Sequence, residues 1–522
     1  MSVESPSIQK RSFFERFIRG VEVIGNKLPH PFWLFCLFSV LVIFLSFILS
    51  KGGVSVSYVM AKAGETPQNV TVAVQNLLSY ESMRDFLANF VKTYVNFAPL
   101  GLVLTMMLGI GIVEQTGMIS ALMRKSILGA PSYLITAALA FVGINANLAS
   151  DAGIIFTPVI GAAVYKALGK NPWIGIIVGY AAAAGGFTAN FFIAGTDALL
   201  AGITGAAMQG SQIQAPINPL MNWYFMLFST ITLTLATVWV TEKFTNKMLQ
   251  SDTVEIDTEE LKKHQLTPEE NRGLRFALFA TLAYVAVILL LTLPNGSFFR
   301  ADDGGILPKS PLLASVMPIL FGLFFTMGTA YGCGCGYIKK SADIPNIMAK
   351  GLLGNVSFMV VVLPASMFVA LFSMSRLDTV LSVSGAEWLQ AIQLPNTLLI
   401  LLFILLVSFL NLFMMSGSAK WLILAPIFVP MFAQVGLSPA LTQVAYRVGD
   451  SSTNIISPVS YYLPVIIGLL EQYKRDDRPV GIGTVISLAM PYSLTYLVVF
   501  SVQLVVWYVI NWPLGPGALP GL

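Results

Sequence analysis

The chain has 522 residues, of which 56% are hydrophobic and only 11% charged, with a formal net charge of +4. A soluble globular chain carries roughly 25% charged residues, so most of this one cannot face water. No Asp, Glu, Lys or Arg occurs in 126–150, 171–196, 198–241, 351–375, 388–419 or 479–522, and a helix crosses a bilayer with about 20 apolar residues. The fold class that follows is an all-α polytopic membrane protein, with the lipid bilayer as its first partner. Nucleic acid is excluded, because the bases sit in short loops between apolar runs. Three cysteines are too few for a disulfide framework.

In chain order, residues 1–30 carry Lys10, Arg11, Arg16, Arg19 and Lys27 and read as a cytoplasmic segment. The apolar run Pro31–Leu49 is too long for a signal sequence and has no small-x-small cleavage site, so it is expected to stay as the first span. The 51–96 stretch reads as an outer loop with an amphipathic segment, Leu77 to Val95, along the membrane surface. Further apolar runs fall near 97–117, 131–168, 172–205, 222–241, 273–294, 310–332, 350–375, 395–435, 439–470 and 480–510. Two of them, 131–168 and 395–435, are too long for one helix. The first is interrupted at Asn145-Ala-Asn147-Leu-Ala-Ser150-Asp151, the second at Asn411 and at Ser416-Gly-Ser418-Ala-Lys420. A polar break at membrane depth survives only where protein or a water-filled cavity satisfies its backbone. Both are therefore predicted as re-entrant helical hairpins, and nine transmembrane helices remain. The hydrophilic 242–272 reads as a cytoplasmic linker between a first membrane half, 31–241, and a second, 273–522; its Thr267-Pro268-Glu269-Glu270 is a helix start. The Gly-Cys-Gly-Cys-Gly stretch around Cys333 and Cys335 reads as close backbone packing, with no other Cys or His nearby to complete a metal site.

Bases collect on one side of this scheme. Arg124, Lys125, Lys339, Lys340, Lys350, Lys474, Arg475 and Arg478 join those of the N-terminus, while 206–221 and the C-terminal stretch carry no charge. The N-terminus is then cytoplasmic and the C-terminus outside, in a cell inner membrane. The same sidedness follows if a hairpin is a pair of full spans. The hairpin units also repeat: Ser150 and Ser418 are 268 apart, as are Pro158 and Pro426, and Asn190 and Asn454 are 264 apart. The first hairpin opens to the cytoplasm and the second to the outside, an inverted-topology repeat of the kind that places a transport site at the repeat interface. Each hairpin precedes a discontinuous helix, predicted to break at Gly185-Gly-Phe-Thr-Ala-Asn190 and at Gly449-Asp-Ser-Ser-Thr-Asn454.

Asp151, Asp197, Lys420, Arg447 and Asp450 lie in or beside these breaks. An ionisable group at a helix centre costs about 2.5–3.5 kcal/mol on the insertion scale, so each needs a partner or water. Arg447 and Asp450, three apart on one helix, can pair with each other. Asp197 sits either at a solvated span end or in a site. Lys420 can neutralise Asp151 or Asp450, or snorkel. Glu114, near Arg124 and Lys125 in sequence, reads as a solvated end. Trp421 beside the second break suggests an aromatic wall for a ligand, while Pro439 and Pro458 read as helix start and break points. An intramembrane hydrolase would need a Ser–His pair, a zinc set or facing aspartates. Neither His30 nor His264 sits in a span, which leaves only Asp197 with Asp450 as an aspartyl dyad. A channel, or a Na⁺-coupled dicarboxylate carrier of similar architecture, is also compatible with these features.

His30-Pro-Phe32, Phe97-Ala-Pro-Leu-Gly101, Ser150-Asp-Ala152, Gly186-Phe-Thr-Ala-Asn190, Asn222-Trp-Tyr-Phe225, Gly417-Ser-Ala419, Leu424-Ala-Pro-Ile-Phe-Val-Pro430 and Asp450-Ser-Ser452 occur in order along almost the whole chain. Together they resemble the AbgT family of p-aminobenzoyl-glutamate transporters. The resemblance implies a transporter rather than an enzyme: a homodimer that moves p-aminobenzoyl-glutamate or p-aminobenzoate, and in some members exports sulfonamide drugs. It implies no cofactor beyond a coupling ion, Na⁺ or H⁺. Positions matching the family's substrate-binding residues are Asp197, Ser418, Trp421, Pro439, Arg447, Asp450 and Pro458, and a Na⁺ ion is implied at Asn411 and Asp450. The chemistry is compatible: a guanidinium grips a carboxylate at two points, an indole stacks an aminobenzoyl ring, and Na⁺ favours hard oxygen ligands.

Overall fold

A computed structural model describes residues 29–60, 68–209, 211, 213, 215–249, 259–307, 310–353, 356–474 and 480–522; the side chains of Ala149, Ser150 and Asp151, and the N-terminal basic segment, lie outside the described set. Among the described residues, seven helices are long and apolar enough to cross a membrane. They are α1 (Pro31–Lys51), α4 (Ala98–Gln115), α10 (Trp223–Val240, continued to Leu249), α11 (Pro268–Leu290), α12 (Val316–Cys335), α14 (Val356–Met374) and α20 (Ile482–Val509). A bent pair, α5 (Met118–Leu128) and α6 (Ile135–Ile144), turns through 115° at its break. The remaining apolar runs form shorter helices, because each is divided by the polar interruptions seen in the sequence.

The outer loop corrects the all-α expectation. Ser55–Met60 (β1) and Gln68–Ala73 (β2) pair antiparallel with Ser55 opposite Ala73, and the Ser57 and Thr71 hydroxyls bond across the pair at 2.7 Å. Alternating Val and Ser or Thr favours a pleated surface. The amphipathic segment beyond it is two short helices, α2 (Tyr80–Ala88) and α3 (Phe90–Val95).

Two helix–turn–helix units organise the interior. The first joins α6 to α7 (Ser150–Ala167) through a 3₁₀ turn at Asn145–Ala149, and a 2.7 Å Thr136–Tyr165 hydroxyl bond ties the far ends of its arms together. The second joins α16 (Asn396–Asn411) to α17 (Gly417–Gln434), with Phe403 packed on Phe428 and Phe432 at ring distances of 4.8 and 5.2 Å. After the first comes α8 (Pro172–Tyr180), a π-helical turn at Ala181–Gly185, an unwound stretch and α9 (Gly195–Met208). Gly179 lets α8 lie against α7, since an added Cβ would meet the Pro158 backbone at 2.8 Å. After the second comes α18 (Pro439–Thr453), a 3₁₀ turn at Asn454–Ile456 and α19 (Leu463–Gln472).

The second broken helix runs further than expected. Gly449–Thr453 stays helical, and the break falls at Asn454–Tyr462. Ser452 and Thr453 return their hydroxyls to the carbonyls of Val448 and Gly449, one turn back, so these side chains are satisfied within the helix and do not compete for its backbone ladder. The Ser457-Pro458 pair removes a donor and ends it instead.

Two amphipathic helices, α13 (Asp343–Leu353) and α15 (Leu377–Ile392), fall at the edge of or between the apolar runs. Helix α10 continues through a second π-helical turn, Thr241–Thr245, into the expected linker. It is held there because the Tyr492 hydroxyl on α20 bonds both Thr241 and Thr245, at 2.9 and 2.7 Å. At the start of α11, Thr267 and Glu270 cap each other reciprocally. Glu270 also pairs with Arg124 at 2.5 Å. The Gly-Cys-Gly-Cys-Gly stretch is a packing element: a Cβ on Gly334 would meet Gly273 Cα at 2.8 Å.

Candidate functional site

The two hairpin turns and the two helix breaks converge on one cavity of about 560 Å³. Asn147 and Leu148 from the first turn line it, as do Met415–Ser418 from the second. Ala184, Phe187 and Thr188 come from the first broken helix, and Tyr446, Asp450 and Asn454 from the second. Gly195 and Thr196 at the start of α9, and Gly417 and Ser418 at the start of α17, bring two helix N-termini to the wall. The first N–H groups of a helix lack intrahelical partners and carry partial positive charge, so the wall favours an anionic group. Phe187, Phe358 and Tyr446 supply aromatic surface, and Glu114, half-buried in the last turn of α4, lines the cavity as well.

Among the described residues, Asp197, Lys420, Arg447 and Asp450 are all paired; Arg447 departs from the expected partner, while Lys420 with Asp450 is one of the pairings the sequence left open. Arg447 does not pair with Asp450. Its Nη2 lies 2.7 Å from Asp197 Oδ1 and 2.8 Å from the Thr188 carbonyl. Asp197 is 5% exposed, not solvated. Its other oxygen accepts from the Ala194 backbone N–H at 2.7 Å and from Asn190 Nδ2 at 2.9 Å. Asn147 Nδ2 donates in turn to Asn190 Oδ1 and the Phe187 carbonyl. An amide relay therefore leads from the first hairpin turn to an ion pair that crosses between the two units. Arg447 Nε is buried without a hydrogen-bond partner among the described residues.

Asp450 pairs instead with Lys420 Nζ at 2.6 Å. Lys420 also donates to the Met414 carbonyl at 2.7 Å and to Asn411 Oδ1. Asn411 Nδ2 is within bonding distance of the Asp450 carbonyl, Thr453 Oγ1 and Asn454 Oδ1, at 2.6, 3.0 and 2.9 Å. Hard oxygens do converge where Na⁺ was expected, but they converge on an ammonium. Arg447 and Asp450 part company because Asp197 and Lys420 approach α18 from different elements, and each takes the nearer charge.

Ser418 and Asp450 line the cavity, whereas Asp197, Trp421 and Arg447 lie one layer behind it. Trp421 has no exposed surface; its ring stacks on Tyr446 at 4.5 Å, and its Nε1 donates to Thr204 at 3.0 Å. Of this stacked pair Tyr446, itself without exposed surface, borders the cavity, and Trp421 packs on it. Pro439 opens α18 as its first residue, and Pro458 sits buried in the break. Tyr446 went unnoticed in the sequence, although it lies four residues before Asp450 and so shares its helix face. Phe187 and Thr188 lay inside a recognised break but carried no charge to mark them.

A membrane bundle with paired helix–turn–helix units, discontinuous helices and buried charges around a central cavity defines a transport protein. The sequence matches the AbgT putative transporter family over residues 16–522, and the chain belongs to that family. It is 36% identical over 516 residues to the p-aminobenzoyl-glutamate transport protein of Escherichia coli (strain K12), covering 99% of each chain. It is similar to MtrF of Neisseria gonorrhoeae, described as one of a class of antimetabolite efflux pumps, with a TM-score of 0.90 at 35% identity over 96% of this chain and 100% of that one. The YdaH transporter of Alcanivorax borkumensis, described as having an unusual topology, gives a TM-score of 0.85 at 33% identity, over 94% of this chain and 100% of that one.

Proposed function

We propose that the protein is a cation-coupled carrier of p-aminobenzoyl-glutamate, p-aminobenzoate and related aromatic carboxylates, with sulfonamide antimetabolites admitted by the same chemistry. The observation that carries this reading is the cavity, where two helix N-termini and an aromatic wall meet at the junction of both hairpin units. Its 560 Å³ lies within the roughly 300–1,000 Å³ of sites for drug-sized ligands. The aminobenzoyl ring rests against Tyr446, backed by Trp421, and its carboxylate meets the N–H groups at Gly195–Thr196 or Gly417–Ser418. Arg447, with a donor to spare, lies directly behind this wall. The aromatic lining favours this substrate over a plain dicarboxylate. An aspartyl hydrolase is disfavoured, since Asp197 and Asp450 each hold a separate cation.

The working unit is a homodimer in the inner membrane. Each protomer has nine spans and two re-entrant hairpins in inverted repeats, with its N-terminus cytoplasmic. A cysteine at Lys340 should then label only from the cytoplasm and one at Gly296 only from outside. Transport is tested in proteoliposomes with labelled p-aminobenzoate and p-aminobenzoyl-glutamate, imposing Na⁺ and pH gradients separately. Either gradient should drive accumulation of at least one substrate. No gradient-dependent movement of either would overturn the reading.

A further inference from the structure

The geometry points to Lys420 as a tethered cation that fills the coupling-ion position of the second hairpin and competes with Na⁺ for it. Its ammonium is held by one carboxylate oxygen, Asp450 Oδ1, one amide oxygen, Asn411 Oδ1, and one main-chain carbonyl, that of Met414. An ammonium has three donors and no acceptor, so all three are matched. Hard oxygens of this kind are what an alkali cation takes, and they include both residues expected to bind Na⁺. Only one of them carries charge. With Lys420 in place, Na⁺ would put a second positive charge on a single buried carboxylate, with no further anion in this oxygen set.

The placement of the lysine adds to the argument. Lys420 lies in the first turn of α17, where the helix dipole disfavours a cation, and it is 2% exposed. Nothing about that position suits an ammonium except the three oxygens. The spacings that align the two units place Ala152 opposite Lys420 and Gly186 opposite Asp450, so only the second unit carries the device. Asp450 also lines the cavity, so an exchange that keeps one positive charge on these oxygens displaces the Lys420 ammonium beside the cavity. Na⁺ enters this site only as Nζ leaves it.

The inference rests on the cation-coupled reading, and its test needs no transport substrate, so the two fail separately. Purified full-length protein is titrated with NaCl against choline chloride at constant ionic strength, reading thermal unfolding and bound radiolabelled Na⁺. Lys420→Met should gain saturable Na⁺ binding and stabilisation, with half-saturation lowered about tenfold or more relative to wild type. The double variant Lys420→Met with Asp450→Asn, which has lost both charges, should respond to the two salts alike. Identical titration of wild type and Lys420→Met would overturn the inference, as would a Na⁺ response that survives in the double variant. Precipitation of Lys420→Met even in NaCl would do the same, because Na⁺ should fill the vacated oxygens.

Discussion

The two hairpin units share a plan and differ in charge. In the first, the turn connects to its broken helix through neutral amides, Asn147 to Asn190, and among the described residues the charge reached is Asp197. In the second, the corresponding bridge is an ion pair, Lys420 to Asp450, with Asn411 holding both sides. The Asp197–Arg447 pair then fastens one unit to the other. A repeated scaffold can thus assign its halves different work. A neutral unit keeps its geometry whatever the ionic state of the cavity, whereas a charged one couples its geometry to whichever cation is bound.

The largest test of this contrast removes the ion pair between the units. Arg447→Ala leaves Asp197 buried with only neutral donors, and breaking a buried pair in this way costs about 3–5 kcal/mol. The thermal midpoint in detergent should fall sharply, and Asp197→Asn in the same chain should recover part of it. A drop no larger than that of a surface substitution would mean the two units are held together by other contacts.

Asn190→Ala and Asn411→Ala sharpen the comparison. Each removes a buried amide that links its hairpin turn to its broken helix, at a cost of about 1–3 kcal/mol in stability. Placed in the Lys420→Met background, where the oxygens are open to Na⁺, only Asn411→Ala should change the dependence of stability on Na⁺ over choline. If both change it, the first unit also holds a cation.

Tyr446→Ala and Trp421→Phe separate the aromatic wall from its backing. Tyr446→Ala should weaken binding of p-aminobenzoate, measured by calorimetry, by about 0.5–1.5 kcal/mol of aromatic attraction plus lost burial. Trp421→Phe keeps an aromatic ring behind Tyr446 and gives up the bond to Thr204, so it should affect binding less. The reverse order would put Trp421 at the ligand.

A control outside both units has the smallest effect. Asp343 accepts the backbone N–H groups of Lys339 and Lys340, each at 2.8 Å, which holds its carboxyl below the usual carboxylate range. Its folded pKa is depressed, so its contribution is complete above about pH 4, the ordinary value, and is lost as pH falls through the depressed one. Asp343→Asn should therefore lower the thermal midpoint slightly at neutral pH, and the difference should close only in strong acid. A difference that widens with acidification would contradict the assignment.

The sequence by itself determined the membrane class, the two interrupted segments and their spacing, and the family. These are local properties: the length of an apolar run and the position of a polar break can be read from neighbouring residues. The start of α11 was legible for the same reason, since a capping box spans only four residues. The β1–β2 pair was not legible because its strands pair across a loop, and α15 because it falls between two apolar runs. Partner choice among the buried charges was decided by tertiary structure alone. Arg447 and Asp450 are close enough on one helix to suggest a pair, yet Asp197 from α9 and Lys420 from α17 reach them first. Tyr446 stands in front of Trp421 for a related reason, since only the packing of α18 on α17 determines which ring faces the cavity. In a low-dielectric interior an unpaired charge is costly, so the pairing that forms is set by which elements the fold brings into contact, and local spacing along the chain does not specify that.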